Sequence, residues 1–145
     1  MLSVVDGAAD YSKDQSETRV KFPDKQRSEG FMVDFTQARK NMVDCQLRTN
    51  KVVDDTLIEA FLSIPRELFV DSGHQALAYT DTDVSAGNGR KLMAPMVIAQ
   101  LIQAVQARPH EVALHVGCAS GYSSAILAKL VGTVVSLESD KNLAA

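Results

Sequence analysis

Gly117, Ala119 and Gly121 fall at every second position of a short turn, with Cys118 and Ser120 between them. An apolar run, Val112 to Val116, leads into this turn, and helical apolar spacing begins at Tyr122 on its far side. A second apolar run, Thr133 to Ser139, follows that helix and carries Glu138 near its end. Strand, small-residue turn, helix, strand and acid is the order in which a nucleotide-like ligand sits on a helix N-terminus while a carboxylate accepts hydrogen bonds from ribose hydroxyls. The spacing selects among ligands. A dinucleotide fingerprint needs small residues at the first, third and sixth positions of the turn, and Tyr122 stands at the sixth, where its ring obstructs a pyrophosphate. Gly117, Ala119 and Gly121 instead make a compact turn that accommodates a thioether or sulfonium tail, as in S-adenosylmethionine. The competing reading is an α/β crossover that binds nothing.

Few other residues carry chemistry. His115, in the first strand, reads as a histidine paired with backbone or water, and His74 as a surface residue with no partner nearby. Cys45 and Cys118 are far apart, with no second Cys or His at metal-ligand spacing, so both read as free thiols and no metal is assigned. Met93 and Met96 read as core filler beside a helix start. No residue is assigned a catalytic role.

Several elements must position that turn. Phe35, Ala38, Met42 and Cys45 recur at steps of three and four and predict a helix ending before Arg48. Thr56 with Glu59 suggests a capping box for a second helix, whose buried face is Leu57, Ile58, Phe61 and Leu62 and which Pro65 stops. A short helical turn, Pro65 to Val70, runs into a loop carrying Tyr79, Asp81 and Asp83. Gly87 and Gly89 flank Asn88 in a tight turn, and Pro95 opens a third helix with an apolar face of Val97, Ile98, Leu101, Ile102 and Val105. Val112 to Val116 predicts a buried parallel strand, Tyr122 to Val131 a helix, and Thr133 to Ser139 a second strand.

Composition bounds the function classes. With 145 residues, 46% hydrophobic content and a net charge of -3, the chain is sized for one domain and lacks the basic excess of a nucleic-acid binder. No apolar stretch approaches the roughly 18 to 20 residues that cross a bilayer, and the expected compartment is the cytoplasm. Residues 1–31 mix charges of both signs with Ser, Gln and Gly, which predicts a disordered lead. Met32 stands where patterned sequence begins, so residues 32–145 form the domain part.

From Met32 onward the chain resembles the N-terminal half of the protein-L-isoaspartate O-methyltransferase family. The resemblance rests on "IPRELFV" and "GCASGYSSAILA", on "GNGRKLMAPMVIAQLIQAV" between them, and on the closing "VVSLE". It implies an α/β, Rossmann-like, S-adenosylmethionine-dependent methyltransferase fold with a helical N-terminal layer, here truncated after the second strand. It also implies methyl transfer from S-adenosylmethionine to isoaspartyl carboxylates in damaged protein or peptide substrates. The residues expected at the cofactor are Gly117, Cys118, Ala119, Ser120, Gly121, Tyr122 and Glu138. Two further expectations remain open: a methyltransferase with a different acceptor, and a noncatalytic remnant or interaction module.

Three positions depart from the family's pattern. Met93 stands where the family carries a serine, and a thioether donates no hydrogen bond, which leaves Arg90 or Lys91 to hold a carboxylate by charge. His115 replaces an acidic residue two before Gly117. Ala119 replaces a glycine, at a cost of about 1 to 2 kcal/mol if the position takes a left-handed backbone.

Overall fold

The computed structural model of the chain describes residues 2–6, as backbone, and residues 33–143. Strand β1, Leu2–Asp6, comes first, and the helical layer begins at α1, Phe35–Met42. Asp34 caps α1 by accepting the Gln37 N–H at 3.0 Å. The helix does not end there. Val43–Leu47 continues as a π-helical turn and Arg48–Asn50 as a 3-10 turn. A π-turn takes more residues per revolution than an α-turn, so it shifts the phase of the apolar stripe. Val43 and Leu47 are consequently buried, and Cys45, expected on the stripe, is exposed.

Helix α2 spans Asp55–Ser63. Its cap is Asp54, which accepts the Leu57 N–H at 3.0 Å, so the capping box expected at Thr56 and Glu59 is not the one formed. An aspartate two residues earlier offers the same geometry with a charged acceptor. Leu57, Ile58 and Phe61 are buried as expected, joined by Ala60, whereas Leu62 is exposed. Two 3-10 segments follow, Arg66–Phe69 and Ser72–Leu77. The Tyr79 hydroxyl donates to Glu67 and accepts from Arg39 Nε at 2.9 Å, which ties this loop to α1. Burial, and then the bond to Glu67, push the Tyr79 pKa up to about 12. His74 lies at the surface, and the Asp71 carboxylate approaches its Nδ1 at 3.7 Å, a partner that sequence reading did not supply.

The hairpin β2–β3, Val84–Gly87 and Arg90–Leu92, is antiparallel, with its register shifted between Ser85 and Gly87. Gly87, Asn88 and Gly89 all have positive φ, which closes the turn. Helix α3, Pro95–Val105, has proline at its start and ends on Gln106 in the left-handed region. Ile98, Ala99 and Ile102 are buried; Val97, Leu101 and Val105, expected on the same face, are exposed.

Strands β4, Val112–Val116, and β5, Thr133–Leu137, are parallel, in register from Val112 opposite Thr133 to Val116 opposite Leu137, and α4, Tyr122–Leu127, connects them. This is the α/β unit the sequence predicts. β1 pairs antiparallel with the other edge of β5, giving the order β1-β5-β4. Leu2–Asp6 is therefore a strand within the stretch read as a disordered lead; residues 7–32 lie outside the described residues. An open strand edge offers unpaired N–H and C=O groups, and a segment with adjacent β-branched residues, Val4 and Val5, is suited to fill them. The burial expected for β4 is not reached on either face, and Ala113 and His115 are only half-buried. Val112, Leu114 and Val116 are 69%, 66% and 65% exposed, because the described residues place a helical layer on only one side of the sheet.

Candidate functional site

The turn from Gly117 to Gly121 is anchored at both ends. The Gly117 N–H donates to the Leu137 carbonyl at 2.8 Å, continuing the ladder past β4, and the Gly121 N–H donates to the Cys118 carbonyl at 2.9 Å. Gly117 and Gly121 have φ of 73° and 87°, and a Cβ at either would meet nothing within 4 Å, so backbone conformation rather than space calls for glycine there. Ala119 has φ 49°, the left-handed conformation that an alanine adopts at a cost.

The Tyr122 side chain lies in the core, so its ring does not obstruct the turn as the spacing argument expects. Its ring is fully buried, edge-on to Phe61 at 6.0 Å and to Phe69 at 5.4 Å between centroids, with the Arg66 guanidinium 4.9 Å from its own centroid. Tyr122 thus shapes the turn by fixing the start of α4 in the core. Arg66, equally buried, donates from Nε to the Ala78 carbonyl and from Nη2 to the Met93 carbonyl, each at 2.6 Å. Burial lowers its pKa. The Ala94 N–H donates to Asp83 Oδ1 at 3.0 Å, so the segment entering α3 is pinned from two sides. The Met93 side chain is 41% exposed and does not fill the core as expected, because Pro95 starts the helix with Ile98 and Ile102, and not Met93, facing inward.

Glu138 lies just beyond β5, 1% exposed, and faces the turn. Its Oε2 accepts the Ala119 N–H at 2.8 Å. Its Oε1 accepts from the N–H groups of Ser139, at 2.8 Å, and Asp140, at 3.0 Å, and from Arg90 Nη2 at 2.6 Å. The Asp140 and Ala119 N–H groups, outweighing the effect of burial, hold the Glu138 pKa down at about 2. The carboxylate is therefore ionised, and it is positioned by backbone.

Beneath the turn, His115 Nδ1 and Ser124 Oγ lie 2.8 Å apart, and the Ser136 hydroxyl donates to Ser124 Oγ at the same distance. His115 pairs with a side-chain hydroxyl instead of the backbone or water expected of it, and burial lowers its pKa. Cys118 is a free thiol, and burial and then the Glu138 charge raise its pKa. The Ser120 Oγ is buried without a hydrogen-bond partner.

The structure therefore brings Gly117 through Gly121 and Glu138 together and sends the Tyr122 side chain into the core. Sequence reading missed Arg66, Ser124 and Ser136, and it placed Arg90 on the acceptor and not on Glu138. Arg66 follows Pro65 in a segment already marked as a turn, but nothing local foretells that its partners are carbonyls 12 and 27 residues away.

Residues 37–145 match the family model described as protein-L-isoaspartate(D-aspartate) O-methyltransferase (PCMT). The chain is 35% identical over 113 residues to a protein-L-isoaspartate O-methyltransferase 1 of Syntrophobacter fumaroxidans, covering 78% of this chain and 53% of that one. It is 38% identical over 110 residues to a protein-L-isoaspartate O-methyltransferase of Herpetosiphon aurantiacus, covering 76% and 49%. The chain thus spans about half the length of the curated relatives it matches. Two solved structures share its fold at 23% identity. One, a protein-L-isoaspartate O-methyltransferase, has a TM-score of 0.60 over 72% of this chain and 35% of its own. The other, a Plasmodium falciparum chain carrying the name beta-aspartate methyltransferase, solved in complex with S-adenosyl-L-homocysteine, has a TM-score of 0.58 over 75% of this chain and 50% of its own.

Proposed function

Because the chain belongs to the protein-L-isoaspartate(D-aspartate) O-methyltransferase family, we propose that it carries the donor-binding part of a methyl transfer from S-adenosylmethionine to isoaspartyl carboxylates in damaged protein or peptide substrates. One observation supports this reading above the others: the ionised Glu138 carboxylate is aimed at the Gly117 to Gly121 turn and touches it at the Ala119 N–H. The residues present fit the donor. Glu138 lies beside the Gly117 to Gly121 turn, where a carboxylate suits ribose hydroxyls, and the buried Ser120 hydroxyl has no hydrogen-bond partner.

S-adenosylmethionine, when bound, supplies a methyl group on an electrophilic sulfonium sulfur. An isoaspartyl carboxylate, with an ordinary pKa near 4, is ionised at pH 7 and needs no general base from this chain. The work left to the protein is placement, and well-oriented reactants gain on the order of 7 kcal/mol or more from it. In this reading Glu138 and the turn fix the donor, and Arg66 and Asp83 fix the segment around Met93 and Ala94. His115, its pKa lowered by burial and its Nδ1 bonded to Ser124, acts as a strut under the turn. The proposal includes a cytoplasmic setting, where two unpaired thiols are at home. It includes no nucleic-acid or membrane partner.

Calorimetric titration of the chain with S-adenosylhomocysteine tests the donor site, and saturable heat is expected. No heat and no thermal shift at millimolar ligand would leave the interaction-module reading in its place. Incubation with an isoaspartyl peptide and labelled donor tests the acceptor. Donor binding without peptide methylation would transfer the assignment to a different acceptor.

A further inference from the structure

We propose that Asn88 is a site of spontaneous covalent modification: the Gly89 backbone nitrogen closes on its carboxamide, ammonia leaves, and water opens the ring to isoaspartate, which breaks the turn of the β2–β3 hairpin. The residue formed belongs to the class that the reading above makes the acceptor, but it forms whether or not the chain transfers methyl groups.

The step balances without an oxidant or a cofactor. The Gly89 amide nitrogen, once deprotonated, attacks Cγ of Asn88. The new N–Cγ bond closes a succinimide ring, and the Cγ–Nδ2 bond breaks as Nδ2 takes up a proton and departs as ammonia. Water then adds to one of the two ring carbonyls. The carbonyl on the Cα side is the more electrophilic, so opening there prevails, and the main chain afterwards runs through Cγ and leaves a free α-carboxylate. Of Asn41, Asn50, Asn88 and Asn142, only Asn88 precedes a glycine, whose missing side chain leaves the nitrogen approachable. The surroundings leave room as well: Asn88 and Gly89 are both exposed, and a Cβ at Gly89 would meet nothing within 4 Å. Among the described residues no hydrogen bond holds the Asn88 carboxamide or engages the Gly89 N–H. Asn41 and Asn50 are held, the first accepting from Gln37 Nε2 at 2.8 Å and the second donating to the Gln46 carbonyl at 2.7 Å.

The turn must open for the nitrogen to reach Cγ, and the hairpin is fastened on both sides of it. Asn88 and Gly89 have φ of 49° and 73°, with Gly87 opposite Arg90; this is the two-residue loop, positive in φ at both positions, that Asn-Gly favours. At the base, the Ser85 carbonyl accepts the Asp71 N–H at 3.0 Å, Arg66 holds the Met93 carbonyl, and Asp83 holds the Ala94 N–H. Past the loop, Arg90 bonds Glu138 and Ser139 through its side chain. Asn88 and Gly89 stand between these anchors, just after a register shift, so they open locally while the strands stay paired. Isoaspartate adds a methylene to the backbone of a loop whose length fixes the pairing of its strands. The two-residue turn cannot re-form around it, and the Gly87–Arg90 pair is lost.

The test is to age the full chain in mildly alkaline buffer with no methyl donor present, folded and, as a calibration, unfolded in guanidinium chloride, and to map its peptides by mass spectrometry. In the folded chain the peptide carrying Asn88 is expected to gain about one dalton, at least about tenfold faster than those carrying Asn41 and Asn50, which hydrogen bonds hold in place. It should also resist a protease that cuts before aspartate, the mark of isoaspartate. Hydrogen exchange over residues 84–92 should quicken in the aged chain. In Asn88→Gly, whose Gly-Gly loop keeps the turn, exchange after the same ageing should match that of fresh protein. A folded wild type that gains no mass at residue 88 over the time in which the unfolded chain does so overturns the proposal. So does a product cut as aspartate, or isoaspartate with exchange unchanged. If Asn88→Gly does not fold, aged against fresh wild type decides alone. Because no donor enters the test, a failure of the methyl-transfer reading shows separately, as absent S-adenosylhomocysteine heat, and leaves this result untouched.

Discussion

The Glu138 carboxylate and the Ala119 backbone N–H meet at 2.8 Å across 19 residues of sequence, joining the end of β5 to the turn that follows β4. The contact performs two tasks at once: it fixes an anion beside the turn, and it holds the strained turn against the sheet.

Glu138→Gln should therefore weaken S-adenosylhomocysteine binding by about tenfold or more, since a carboxamide carries no charge and turns an N–H toward some of the donors now satisfied. The pH dependence has a definite sign. The folded pKa of about 2 lies below the ordinary 4.5, so the stabilisation from Glu138 is complete above pH 4.5 and is lost as pH falls from there through about 2. Thermal melts between pH 6 and pH 2 should show a smaller acid-induced drop in Tm for Glu138→Gln than for the wild type; parallel curves would contradict this role.

Ala119→Gly should stabilise the fold. The left-handed conformation costs alanine about 1 to 2 kcal/mol, and glycine gives back about 0.5 to 1 kcal/mol in unfolded-chain entropy, which leaves a net gain centred on about 0.75 kcal/mol and at most about 1.5 kcal/mol. Urea denaturation of the two proteins measures it, with equal or lower stability in the glycine variant as the adverse result.

Tyr122→Ala should cost about 3 to 5 kcal/mol. The ring is fully buried against Phe61 and Phe69, and it faces the Arg66 guanidinium, so truncation opens a void beside a buried cation. The turn depends on this packing, and donor affinity should fall along with stability. A variant as stable as the wild type, by equilibrium denaturation, would mean that the ring does not anchor α4.

Met93→Ser tests the acceptor side. The side chain is exposed while its backbone is held by Arg66, so a hydroxyl can be introduced without disturbing the core. Methyl transfer to an isoaspartyl peptide is expected to rise and donor affinity to stay constant, since a serine can donate a hydrogen bond that a thioether cannot. An unchanged transfer rate would remove the hydroxyl from the account.

The α/β unit was legible because its signals are local: apolar run, small-residue turn, helical spacing and a second run follow one another within about 30 residues. Glu138 could be placed for the same reason. Cys45 could not, because it lies within a π-turn that shifts the phase of the stripe, and no sequence period announces such a turn. Arg90 was visible as a free charge near the site, but its choice of Glu138 over solvent depends on a hairpin folding back onto a strand 48 residues later. The exposure of β4 was missed because an apolar run says that a strand seeks cover, not whether the described layers provide it.

That face, uncovered among the described residues, yields a last expectation. Val112, Leu114 and Val116 project from one side of β4, each at least 65% exposed, and Leu137 at 40% adds to the same apolar surface across the sheet. Contiguous apolar surface of this kind drives association in water, and β4 has β5 as its only strand neighbour among the described residues. The chain should therefore self-associate as concentration rises. Leu114→Lys places a charge in the middle of the patch without touching α4 on the other face, and it should shift the sedimentation profile toward monomer while leaving the helical signal in circular dichroism intact. A wild-type chain that remains monomeric at high micromolar concentration would show that this face is not sticky enough to recruit a second copy.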